Sequence, residues 1–216
     1  NGKIKITTDY PDYFPVIQYA KNRNFALQLY TLFDNRAADK NVAVLEKIFL
    51  LRREKAKLLG YATWADYVLE PRMAKTSGAV ATFLDGLRKH LKKKGDDELK
   101  EFVAMHVKLG GKATDSIPIS DRLYLEDQVR KEKYGLDSQE LSKYFEVTRV
   151  KQGILDITSK LFGISYRTVE APKWHSDVEV VEVSDTATKR VLGRFYFDLY
   201  PREGKYKHAA VFSIRE

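Results

Sequence analysis

Apolar positions repeat with a period near 3.6 up to Gly163 and with a period of two beyond it, so the chain reads as helices followed by strands. Helical patterns cover residues 16–33 and 42–59, and Gly60 stands where a left-handed residue ends the second of them. A short helix opens at Thr63, with Asp66 in the first turn, where a negative charge is favourable. Ser77 precedes a fourth. Its Val80, Phe83, Leu84, Leu87 and Leu91 fall at i, i+3, i+4, i+7 and i+11, an apolar stripe expected to face a core. Residues 97–109 read as a fifth helix stopped by Gly110 and Gly111, and residues 121–132 as a sixth. Asp137 and Glu140 have the spacing of a capping box at the start of a seventh. Val150, Ile154, Ile157 and Leu161 line an eighth, which ends at Gly163.

Beyond Gly163, residues 164–166 open a strand, and 178–183, 191–200 and 209–214 give three more. Residues 185–189 read as the turn between the middle pair. Pro201, which cannot donate to a ladder, and Gly204 mark a turn between the last two. At the other end, Asn1-Gly2 is a favoured two-residue turn, and Ile4 and Ile6 alternate with lysines like the second half of a hairpin. The pattern predicts an α+β fold, mainly α: a bundle of about eight helices followed by a small antiparallel sheet. No repeat or low-complexity linker divides it. Residues 1–216 therefore read as one partial domain, with a helical part (1–163) and a sheet part (164–216) that is not independent. Both ends read as cut from something larger, so targeting signals are not legible.

Composition changes this picture little. In 216 residues, 44% hydrophobic and 31% charged, there is enough apolar matter for a core and no apolar run of membrane-spanning length. The absence of cysteine rules out disulfides and fits a reducing compartment. The formal net charge of +8 would allow weak binding to a polyanion. Its densest run, Arg88-Lys89-His90-Leu91-Lys92-Lys93-Lys94, is followed at once by Asp96, Asp97 and Glu98, the pattern of a solvated helix face.

Candidate chemistry is sparse. The four histidines, at 90, 106, 175 and 208, have Lys94, Gly110, Glu179 and Phe212 four residues on, so no two histidines share one helical turn as a metal pair requires. Asp198 with Arg202 or Glu203 has no histidine partner to make a nucleophile and base, and reads as turn ion pairs. Tyr61, Trp64 and Tyr67 read as packing aromatics, and His175 beside Trp174 as a satisfied polar group at the start of a strand.

One segment is more specific. Asp198-Leu199-Tyr200-Pro201-Arg202-Glu203-Gly204-Lys205-Tyr206, with His208-Ala209-Ala210 after it, closely resembles the stretch that precedes the zinc-binding helix in the thimet oligopeptidase, neurolysin and saccharolysin family of metallopeptidases. Further matches lie in the same order along the chain. They are Tyr10-Pro11-Asp12-Tyr13-Phe14-Pro15-Val16, Leu58-Leu59-Gly60-Tyr61 with Ala65-Asp66-Tyr67, Met73-Ala74-Lys75, Leu161-Phe162-Gly163-Ile164, and Trp174-His175-Ser176-Asp177-Val178. The family's H-E-x-x-H helix is not among these 216 residues.

The resemblance implies a mostly helical fold with a small sheet beside a deep channel, in a cytoplasmic enzyme that hydrolyses short peptides. In the whole enzyme a zinc ion would polarise the scissile carbonyl and activate water, with the motif glutamate as base. These residues would supply a channel wall. His208, Ala209, Ala210, Val211 and Phe212 would offer backbone hydrogen bonds to an extended peptide. The chain alone is expected to bind no zinc and to be inactive. The alternative is a non-catalytic module of peptidase-like fold that binds peptide, glycan or polyanion. Its terminal strand, as an apolar edge, would also allow self-association.

Overall fold

The computed structural model of the chain describes residues 2–208 and 211–213. Among these are eight α-helices and a three-stranded antiparallel sheet, an α+β fold dominated by helix. The chain divides into two compact units. One comprises residues up to Thr8 together with Asp12–Glu132; the other comprises Asp9–Pro11 together with the residues from Lys133 on.

The helix expected over 16–33 is two: α1 (Tyr10–Tyr19), which lies in the first unit from Asp12 on, and α2 (Arg23–Asp34) in the same unit. The break is chemical. The Asn22 side chain accepts a hydrogen bond from the Phe25 amide at 3.1 Å and so caps a new helix. Tyr13, Ile17, Ala26 and Leu29 form a buried cluster flanked by Val16, Tyr30, Phe33 and Leu123, with the Tyr13 and Phe33 rings stacked at 3.9 Å. Arg23 ties this corner to the 3-10 turn Ile119–Asp121. Its guanidinium donates to Asp121 Oδ1 (3.0 Å) and to the carbonyls of Ser120 (2.8 Å), Ala20 (3.0 Å) and Ile17 (3.2 Å), and it lies over the Tyr124 ring. Helix α6 (Arg122–Tyr134) follows.

Helices α3 (Ala38–Leu58) and α4 (Trp64–Leu69) lie where the pattern puts them, with Gly60 at φ 82° and Thr63 capping the Asp66 amide. Two expectations are corrected at α5 (Ser77–Lys108). It is one continuous helix of 32 residues, not a fourth and a fifth. Lys92–Asp96, Lys93–Asp97 and Lys94–Glu98 are ion pairs one turn apart, so the acidic run that suggested a new helix start instead links successive turns of one helix. The apolar stripe is also not in a core: Leu87 is 42% exposed and Phe83, Leu84 and Leu91 more so.

In the second unit, α7 (Ser138–Ser142) is capped by Asp137, and α8 (Val147–Phe162) by Glu146. α8 ends at Gly163, whose φ of 63° turns the chain directly into β1 (Ile164–Thr168). β1 pairs with β2 (Glu179–Asp185), and β2 with β3 (Val191–Phe197), in the order β1-β2-β3 with an irregularity at Val183/Ser184. The β2–β3 turn is closed by Asp185, which accepts from the Thr188 amide at 2.7 Å. On one sheet face Glu179 accepts from the Thr168 hydroxyl and pairs with α8's Lys151. On the other, Glu182, almost fully buried, lies between Arg167 and Arg194, its partners in register on either side.

β3 ends at Phe197 rather than at residue 200, because Asp198 is drawn into a set of side-chain contacts described below. Of the strand expected over 209–214, Ala209, Ala210 and Ile214 lie outside the described residues, and Val211, Phe212 and Ser213 belong to no regular element. Residues 2–6, expected as half a hairpin, are also outside regular structure. Gly2 takes the positive φ of a turn, but no described strand pairs with Ile4 or Ile6.

Candidate functional site

Strand β3 delivers Asp198 to the start of the Pro-Arg-Glu-Gly-Lys loop, and the loop folds back onto that one carboxylate. Arg202 grips it with both ends of its fork, Nη1 to Oδ1 at 2.6 Å and Nη2 to Oδ2 at 2.9 Å. Lys205 Nζ donates to Oδ1 (3.0 Å), to the Asp198 carbonyl (2.6 Å) and to the Tyr200 carbonyl (2.8 Å). Trp174 Nε1 donates to Oδ2 at 3.0 Å, and its ring lies against Tyr196 on β3. The Arg202 hydrogen bonds hold the Asp198 carboxyl far below the usual carboxylate range. Desolvation opposes them, and the bonds from Trp174 and Lys205 act in the same direction as Arg202. The Pro201-to-Gly204 turn is possible because Gly204 takes φ 72° and the Lys205 amide reaches the Arg202 carbonyl. The ion pairs read from Asp198 and Arg202 are therefore present, with Lys205 and Trp174 as partners that sequence reasoning did not name.

The chain then runs through a second set of contacts. Lys207 pairs with Asp9 at 2.9 Å, and the His208 ring meets Tyr10 and Tyr206 edge-on, at 5.2 and 6.3 Å between centroids. Of the five residues expected to meet a peptide backbone, His208 is thus built into an aromatic contact, and Val211 and Phe212 stand exposed, at 98% and 79%. Ala209 and Ala210 lie outside the described residues.

Residues 16–216 match Peptidase family M3. The chain belongs to that family. It is 34% identical to saccharolysin of Saccharomyces cerevisiae over 97% of its own length and 31% of the relative's. It is 34% identical to oligopeptidase A of Haemophilus influenzae (93% and 30%), and 32% identical to the organellar oligopeptidase A, chloroplastic/mitochondrial, of Arabidopsis thaliana (97% and 27%). The chain thus spans about a third of the length of the curated relatives it matches.

Within this M3 chain the other histidines are engaged locally. His90 Nδ1 lies 2.7 Å from the Gly86 carbonyl, and His175 Nδ1 accepts from the Asp177 amide. His106 lies 3.1 Å from Asp115, its ring against Gly111, where a Cβ would collide with it. Among the described residues no three His, Asp or Glu side chains come together as a metal's ligands would. A groove of about 600 Å³ runs between α8 and the sheet, bordered by Lys151, Leu155, Tyr166, Thr168 and Glu179. Lys151 and Glu179 on its border pair with each other at 2.5 Å.

Proposed function

We propose that these residues are a peptide-binding wall of a metallo-oligopeptidase acting on short peptides, and that the segment of His208, Ala209, Ala210, Val211 and Phe212 offers its main chain to an extended substrate. The observation that carries this reading is the M3 match over residues 16–216, together with the fixed loop that leads into a segment whose Val211 and Phe212 have no cover. Main-chain recognition reads peptide geometry and tolerates many side chains, which suits a broad oligopeptidase. Zinc belongs to the whole enzyme in this reading, with ligands outside these residues. The chain's own part is to bind and orient. The cytosol is the compartment this reading assigns, and no described helix is long and apolar enough to cross a membrane.

The non-catalytic reading uses the same segment, so a binding experiment separates peptide from the other ligands. A short dansyl-labelled peptide should bind the chain, and its backbone N-methylated counterpart should not. Val211→Pro, which removes one backbone donor, should weaken binding about tenfold while Lys189→Ala in the β2–β3 turn leaves it unchanged. Equal binding by the Val211→Pro variant, or displacement of the peptide by heparin or dextran, would overturn the assignment. Polyanion binding has little support from α5, where Lys92, Lys93 and Lys94 are each paired with an acid.

A further inference from the structure

The segment assigned to peptide binding is preceded by ten residues that form no strand or helix, 198–207, and an irregular stretch of that length would ordinarily fluctuate. Two sets of contacts oppose this. At the first, three side chains converge on the Asp198 carboxylate from two places in the chain: Arg202 and Lys205 from the loop, and Trp174 from the stretch before β2. Lys205 also fixes the carbonyls of Asp198 and Tyr200, so the loop backbone itself is held. Arg202, Lys205 and Asp198 are each only about a fifth exposed, so these contacts are partly shielded from water and from salt. At the second, Lys207 meets Asp9 and His208 meets Tyr10, residues that belong to this unit although they are far away in sequence.

We infer that Asp198 is a positioning residue, a latch that sets where the chain enters the 208–212 segment, with Asp9 and Tyr10 as a second point of hold. This rests on the peptide-binding reading given above. An extended peptide that gains affinity from main-chain hydrogen bonds needs the facing backbone already in place, since ordering it at the moment of binding subtracts from the affinity. The Asp198 carboxylate supplies that order without touching the peptide.

The test uses the whole chain in a Trp64→Phe background, where Trp174 is the only indole. Asp198→Asn keeps the shape and removes the charge. It should shift Trp174 emission, speed amide hydrogen exchange across 199–208 about tenfold or more while exchange in β2 stays unchanged, and weaken binding of the dansyl peptide about tenfold. Arg202→Gln, a milder change, should give the same pattern at smaller size if Asp198→Asn fails to fold. Unchanged exchange in 199–208 would overturn the latch. A loosened loop with undiminished peptide binding would overturn the positioning role and leave the proposed function standing. A loosened loop in a chain that binds no peptide even unsubstituted would sink the peptide-binding reading, and with it this role, while leaving Asp198 as a structural clasp.

Discussion

Arg23 shows how much one side chain can hold at the residue scale. It satisfies Asp121 and three backbone carbonyls at once, across a separation of 98 positions in the case of Asp121. Arg23→Met should cost about 3 kcal/mol in urea unfolding, because it leaves a mostly buried carboxylate without its cation. Arg23→Lys should recover less than half of that, since an ammonium cannot reproduce the fork. Equal stability of wild type and Arg23→Met would show that water replaces the guanidinium. Asp198 gives a prediction in pH. Its carboxyl titrates lower in the folded chain than in the unfolded one, where an aspartate lies near about 3.9. Its contribution is therefore complete above about pH 5 and is withdrawn as pH falls through the unfolded value towards the folded one. Glu182, depressed by Arg167 and then Arg194, acts in the same direction. Loss of loop protection below about pH 4 should be absent in Asp198→Asn, whose loop is already loose at neutral pH; a wild-type loop indifferent to acid would contradict the assignment.

At the scale of elements, the exposed stripe of α5 changes what a substitution there should do. Leu87→Ala should cost no more than about 1 kcal/mol, whereas Leu29→Ala, from the buried cluster of the first unit, should cost about 2–5 kcal/mol. Similar losses for both would mean that α5 is covered in solution. The same helix marks where sequence was and was not legible. Caps are local chemistry, and Gly60, Thr63, Asp137 and Gly163 all stand where their side chains or their freedom at positive φ place them. Periodicity reports that a helix has an apolar face but not whether anything meets it, so the stripe of α5 was readable and its exposure was not. Continuity through Gly95 depended on lysine–acid pairs whose two members suggest a boundary when read singly. In the candidate site, Asp198 with Arg202 lay within one turn and could be read. Trp174, 24 positions away, could not, because only the sheet brings it there. The part of the site at Ala209 and Ala210 rests on the resemblance alone.

On the whole molecule, apolar surface is unusually open for a chain of this size. Phe49 on α3, Phe83 and Leu91 on α5, and Ile157 and Leu161 on α8 are each more than half exposed. Soluble monomers rarely leave such stripes uncovered, so the chain in isolation should associate with itself. Two routes are distinguishable. If the helical stripes drive association, Ile157→Lys with Leu161→Lys should raise the monomer fraction in light scattering and lower dye binding at exposed apolar surface, and Val211→Pro should change neither. If a backbone edge at the terminal segment drives it, the outcomes exchange. The stripes are the stronger expectation, because β-edge pairing offers few residues and the stripes offer three helices. The net charge of +8 opposes contact between copies, so association should grow as salt screens that repulsion, and sulfate should promote it more than chloride at equal ionic strength. A chain that stays monomeric at high concentration in sulfate, with no dye binding, would show that the stripes close on themselves in solution.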